Sequence, residues 1–159
     1  VQSIRFGLHV ARGLRVLHDA GLQHRDLKSP NVLVRGAGCV LTDFGLSGDA
    51  ADAVCAVDNP TWLAPEVLAG GAFSPAADVY ALGIVLWELL AWKPPFADVK
   101  FMTEIKNRVV EGKRPAPEYR VQHRGYITLL GRCWEQRAEQ RPAIGAVVAE
   151  LRKMRDEIG

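Results

Sequence analysis

The sequence predicts a mainly α-helical domain with one small β-hairpin near its start. Apolar residues recur at three- and four-residue steps over most of the 159 residues. Two short β-rich runs flank a glycine-containing turn. The middle of the chain carries a helical segment that is apolar nearly all round, the mark of a core helix.

Taken in order, Ile4, Leu8, Ala11, Leu14 and Leu17 share one helical face, and Gly21 stands where a helix stop belongs. Runs 31–34 and 39–42 read as strands joined by Arg35-Gly36-Ala37-Gly38. Residues 45–60 have no clear period and read as a loop. Ser74-Pro75 has the form of an N-cap followed by proline at the first helical position, ahead of the buried helix 78–90. Pro94-Pro95 interrupts the pattern. Further helices are expected over 99–111, with Gly112 past the end, and over 126–134 and 144–158, where Ile144, Val147, Val148 and Leu151 share a face. No internal repeat, low-complexity tract or linker divides the chain.

Composition narrows the classes. Apolar residues are 48% and charged residues 24%, ordinary for a globular domain. A net charge of +2 supplies no basic excess from which nucleic-acid binding could be argued. The apolar stretch 79–87 is far short of the ~20 residues that span a bilayer, so no membrane segment is expected. Cys39, Cys55 and Cys133 are scattered and odd in number, which argues against a disulfide framework and for a reducing, cytoplasmic setting. His9, His18, His24 and His123 lack metal-ligand spacing. The chain begins at Val1 rather than Met.

Two clusters carry chemistry: His24-Arg25-Asp26-Leu27-Lys28-Ser29-Pro30-Asn31, and Asp43-Phe44-Gly45 at the end of the second run. Both flank the hairpin, which should bring Asn31 and Asp43 near each other. Magnesium takes hard oxygen ligands, and one carboxylate plus one carboxamide suit it when phosphates supply the rest. Asp26 is a second carboxylate able to accept a proton from an attacking hydroxyl. Lys28 would set a positive charge where phosphate charge develops. The residues alone read as a phosphoryl-transfer site.

The first cluster resembles the catalytic loop of eukaryotic protein kinases and the second their metal-binding triplet. The resemblance continues through Ala64-Pro65-Glu66, similar to the marker closing the activation segment, and through Asp78-Val79-Tyr80-Ala81-Leu82-Gly83, similar to the start of the central helix. Arg141, after Cys133-Trp134-Glu135, resembles the arginine that pairs with Glu66. It covers essentially the whole chain, 1–159, in the right order and spacing, and implies the α-helical large (C-terminal) lobe with its small hairpin. Lys28-Ser29-Pro30-Asn31 together with Cys133-Trp134 is similar to the tyrosine-kinase-like branch of serine/threonine kinases.

The kinase template assigns the roles. Asp26 is implied as catalytic base, Lys28 as the neutraliser of the transferred phosphate, and Asn31 and Asp43 as magnesium ligands, with ATP as phosphate donor and a protein as acceptor. His24 and Phe44 are implied to be structural. Asp78 would hydrogen-bond the catalytic-loop backbone, and Arg25 would pair with a phosphorylated loop residue.

Three departures accompany the match. The glycine-rich loop, the strand lysine and its partner glutamate have no counterpart, so the chain alone is expected to show negligible kinase activity. Asn59 stands where the serine/threonine branch has threonine, and its amide is able to bond Asp26 or Lys28. Between Gly45 and Asn59 only Ser47 is phosphorylatable, which leaves Asp49, Asp52 or Asp58 as a stand-in for a phosphate. The readings weighed against a serine/threonine kinase are a pseudokinase or scaffold, a dual-specificity or tyrosine kinase, and a small-molecule phosphotransferase.

Overall fold

The computed structural model describes residues 2–43, 59–120 and 122–158. Six helices and one two-stranded sheet make up the described fold: α1 (Gln2–Asp19), β1 (Val32–Arg35), β2 (Gly38–Leu41), α2 (Pro65–Leu68), α3 (Pro75–Ala91), α4 (Met102–Val110), α5 (Arg124–Cys133) and α6 (Ile144–Ile158). Short 3-10 turns sit at Ser29–Asn31, Pro60–Trp62 and Ala138–Gln140.

The core is built around α3. Its residues 77–87 are buried on every side of the helix, because α1 and α5 pack against it. Val79, Leu82, Leu86, Trp87 and Leu90 join the larger apolar cluster with α1, α5 and α6. Tyr80 and Ile84 face a second cluster made with α2 and α4. Close approach to α5 explains Gly83. A Cβ there would stand 3.0 Å from Cys133 Cβ and 3.2 Å from the Trp134 nitrogen.

Element ends follow local chemistry, with informative shifts. The antiparallel ladder runs Val32↔Leu41 to Arg35↔Gly38, so β1 starts one residue later than the β-rich run. Asn31 is instead drawn into the turn that Pro30 favours. Gly36 takes a left-handed φ of 58° at the hairpin tip. Ser74 occupies the N-cap of α3 and Pro75 its first position, but no side-chain bond from Ser74 caps the helix. α4 begins at Met102, three residues after the periodic pattern starts. α5 begins at Arg124, earlier than its apolar period, because His123 caps it by accepting the Tyr126 N–H at 3.1 Å. α6 matches its pattern at both ends.

Candidate active site

The loop between α1 and β1 is held by a carboxylate from α3. Asp78, 2% exposed in the first turn of that helix, accepts the His24 N–H at 2.8 Å and the Arg25 N–H at 2.9 Å. A third contact, at 2.9 Å, comes from His18 Nε2 near the end of α1. A buried carboxylate needs such donors, since its desolvation would otherwise be prohibitive. Arg25 itself is buried and adopts φ 67°, unusual for a residue with a side chain. That twist turns two successive amides toward one carboxylate, and backbone strain of this kind gathers at functional sites.

Past this anchor the chemistry-bearing side chains converge. Asn31 Nδ2 donates to the Asp26 carbonyl at 2.7 Å and to Asp26 Oδ2 at 3.2 Å. Lys28 Nζ lies 3.5 Å from Asp26 Oδ1. Both Asp26 and Lys28 side chains are about one-third exposed, at 30% each, so both reach solvent. The Asn31 carbonyl accepts the Thr42 N–H at 2.9 Å and the Thr42 hydroxyl at 3.2 Å. This extends the ladder by one rung and makes Asp43 the first residue beyond it. Asp43 is exposed and, at φ 63°, is a second left-handed residue bearing a side chain.

His24 ties the two loops together. Its Nδ1 accepts the Asp26 N–H at 3.2 Å, and its Nε2 lies 3.1 Å from the Thr42 carbonyl. An amide only donates and a carbonyl only accepts, so these partners assign the ring proton to Nε2. The histidine is fully buried and spans from the residue before Asp43 to the backbone of Asp26.

The donor set fits a magnesium–nucleotide complex. The Asp26 carbonyl can only accept, so it fixes the Asn31 carboxamide with nitrogen inward and Oδ1 as the atom left for a cation. Among the described residues no group of three or more His, Cys, Asp or Glu side chains forms a metal cage. Magnesium bound through one or two protein oxygens and completed by phosphates needs no such cage.

The other residues singled out in the sequence are placed as follows. Arg141 makes a two-pronged ion pair with Glu66, Nη1 to Oε1 and Nη2 to Oε2, each 2.7 Å. The same guanidinium donates to the carbonyls of Glu135 at 2.8 Å and Ala76 at 2.9 Å. It thereby fastens the segment after α5 to α2 and the start of α3. Arg141 and Arg114 also lie near the ring of Tyr80, 5.2 and 5.0 Å from its centroid. Burial pushes the Tyr80 hydroxyl up to about 12. Asn59 is exposed and accepts the Thr61 N–H at 3.1 Å, capping the turn 60–62. No bond from it to Asp26 or Lys28 occurs among the described contacts. Phe44, Gly45, Ser47, Asp49, Asp52, Cys55 and Asp58 lie outside the described residues.

Sequence reasoning missed three participants. Glu88, near the end of α3, accepts the Ser29 hydroxyl at 2.7 Å and the Trp62 indole N–H at 3.0 Å. Trp62 is half-buried, packs against both apolar clusters and is hydrogen-bonded through its indole. His18, the third contact of Asp78, was also missed. A carboxylate ten residues after Asp78 on an apolar helix was the signal available for Glu88, since such a charge is retained only where partners satisfy it.

Comparison with known proteins agrees with this geometry. The sequence model of the family described as "Protein tyrosine and serine/threonine kinase" matches residues 1–151. The chain is 38% identical to the probable serine/threonine-protein kinase roco9 of Dictyostelium discoideum, over 95% of this chain and 5% of that protein. It is 36% identical to cyclic GMP-binding protein C of the same organism, over 93% of this chain and 6% of that protein. Serine/threonine-protein kinase mos of Patiria pectinifera is 31% identical over 96% of this chain, which spans 47% of that protein. The helical architecture with one hairpin among the described residues, the ordered motifs and these matches agree: the chain belongs to the protein kinase family and has the architecture of its large lobe.

Proposed function

We propose that residues 1–159 are the large lobe of an ATP-dependent protein kinase that phosphorylates serine or threonine hydroxyls. The observation that carries this reading is the convergence of Asp26, Lys28 and Asn31 beside the hairpin end where Asp43 emerges. A magnesium–ATP complex, when bound, would supply the γ-phosphoryl group and the metal's charge, and Asn31 Oδ1 and the Asp43 carboxylate are the groups that would hold the cation. Asp26, held by its contacts to Asn31 and Lys28, faces solvent and accepts the proton of the incoming hydroxyl. Lys28 keeps its ammonium beside that carboxylate and offsets the negative charge that builds during transfer. Lys28 and the relatives named as serine/threonine kinases favour that acceptor class, and the run Lys28-Ser29-Pro30-Asn31 with Cys133-Trp134 is what supports the tyrosine-kinase-like branch.

The test is transfer of labelled γ-phosphate by the full-length protein, with the labelled amino acid identified. Phosphoserine or phosphothreonine is expected, and Asp26→Asn should lower kcat at least about a hundredfold, the range of general-base catalysis. Equal rates for wild type and D26N would overturn the assignment.

A further inference from the structure

The outward stripe of α1 is cationic. Arg5, His9 and Arg12 follow one another at four- and three-residue steps, so their side chains are neighbours on one face. The two elements packed on α1, β2 and α6, add to the patch. His9 Nδ1 accepts the Cys39 N–H at 3.4 Å, which assigns the ring proton to Nε2. A Cβ on Gly38 would stand 3.0 Å from the same ring. Arg35, the cross-strand partner of Gly38, sets an exposed cation at that end of the hairpin. Arg155 of α6 acts on the ring through its charge. Burial and then Arg12, Arg5 and Arg155 all hold the imidazole below its ordinary range, so Nε2 stays a neutral donor near pH 7. Among the described residues Arg5, Arg12 and Arg35 have no ion pair, and Arg155 pairs with its neighbour Asp156. Like charges one helical turn apart repel. In a chain with 18 acidic residues, a cluster left so unbalanced calls for an anion from outside.

We propose that this patch binds a phosphoserine or phosphothreonine side chain on a partner peptide. A phosphate dianion presents three strong acceptor oxygens, enough for several arginines and one neutral N–H, whereas a carboxylate is satisfied by a single arginine fork. Arg5 and Arg12 are about 10 Å apart along the helix axis. That is the scale of one phosphorylated residue with its neighbours, not of a nucleic-acid backbone or a bilayer surface. Val16, one turn beyond Arg12 on the same stripe and 69% exposed, offers an apolar contact that a peptide uses and a free phosphate does not. The proposal stands apart from the kinase reading, since none of its residues lies in loop 24–31 or at Asp43.

The first measurement is fluorescence anisotropy with the 159-residue chain and a pool of nine-residue peptides carrying a central phosphoserine or phosphothreonine, beside their unphosphorylated twins. The phosphorylated pool should bind at least about tenfold tighter than the twins, as charge-assisted bonds to the phosphate require. Arg5→Gln and Arg12→Gln should each weaken binding about fivefold, the scale of one partly exposed ion pair. Lys106→Gln removes the same charge from α4, which belongs to the second apolar cluster, and should stay within about twofold of wild type. Arg5 is exposed, so R5Q carries the test if R12Q lowers the melting temperature.

The second measurement is the NMR titration of the His9 ring. Saturating phosphopeptide should raise its pKa by about one unit or more, as a negative charge within about 6 Å does. Equal affinity for the twins, binding unchanged in R5Q and R12Q, or an unmoved His9 titration overturns the proposal. Inorganic phosphate and vesicles containing phosphatidylserine are separate arms. Phosphate alone matching the peptide at equal concentration would reduce the patch to a free-anion site. Vesicle binding that R12Q abolishes, without phosphopeptide binding, would assign it to a membrane surface. Either result overturns the proposal.

Discussion

Replacing Asp78 with asparagine probes the anchor on which the loop 24–31 depends. Oδ2 accepts from His24 N and meets His18 Nε2, and Oδ1 accepts from Arg25 N. The carboxamide keeps one acceptor oxygen and turns the other position into a donor. Whichever way it sits, one backbone N–H then faces an NH2 group. One hydrogen bond to a charged acceptor is lost, at about 1.5–3 kcal/mol, and the remaining bonds weaken as the charge disappears. The site is 2% exposed, so water cannot replace the lost partner without opening the loop. Release of the left-handed strain at Arg25 returns part of the loss, of order 1 kcal/mol. The net expectation is about 2–3 kcal/mol of destabilisation, with the loop relaxing away from its turn. Urea unfolding followed by tryptophan fluorescence measures the first part, and hydrogen exchange of the His24 and Arg25 amides measures the second. Both amides should lose protection beyond the global change. A D78N protein within about 0.5 kcal/mol of wild type, with both amides still protected, would refute the reasoning.

Four further outcomes follow from other contacts. Glu66→Ala leaves a fully buried guanidinium without its carboxylate and should cost about 3 kcal/mol, the low end for a broken buried pair because Glu66 is 28% exposed; thermal unfolding should fall by roughly 6–12 °C. Gly83→Ala pushes a methyl against Cys133 and Trp134 and should destabilise by about 1–2 kcal/mol by urea unfolding, despite the better helix propensity of alanine. The raised carboxyl of Glu88 binds its proton more tightly in the folded state than in the unfolded one. Its contribution is therefore full below the ordinary glutamate range and is lost as pH rises through the folded value; the stability of wild type minus that of E88Q should fall over that window, and a flat or rising difference would contradict it. Burial pushes the Cys133 thiol up to about 12, so a thiol reagent at pH 8 should label it only as the chain unfolds.

Much of the fold was legible because its elements are governed by periodicity and punctuation. α6 follows four apolar positions on one face, and α3 follows from Ser74-Pro75 and a run too apolar to be exposed. The boundaries that moved were set by interactions the period does not encode. His123 acts as a cap by accepting an amide, and Asn31 leaves the strand because Pro30 and Ser29 make a turn. α2, at four residues, is too short to show a period. At the site, the residue types pointed to the kinase family, and the hairpin register sets Asn31 opposite Thr42, next to Asp43. The left-handed backbone of Arg25 and Asp43 was not readable, because neither residue is glycine. Nor was the joint use of Glu88 by Ser29 and Trp62, since it depends on three segments far apart in sequence.

The central claim is that the ends of loop 24–31 and of β2 share one nucleotide–cation complex. Titrating the chain with ATP and manganese, a paramagnetic stand-in for magnesium, and recording NMR line broadening tests it most directly. The account predicts selective broadening at Asp26, Asn31 with its side-chain amide, and Asp43, largely abolished by Asp43→Ala. Broadening centred elsewhere, or unaffected by D43A, would contradict it.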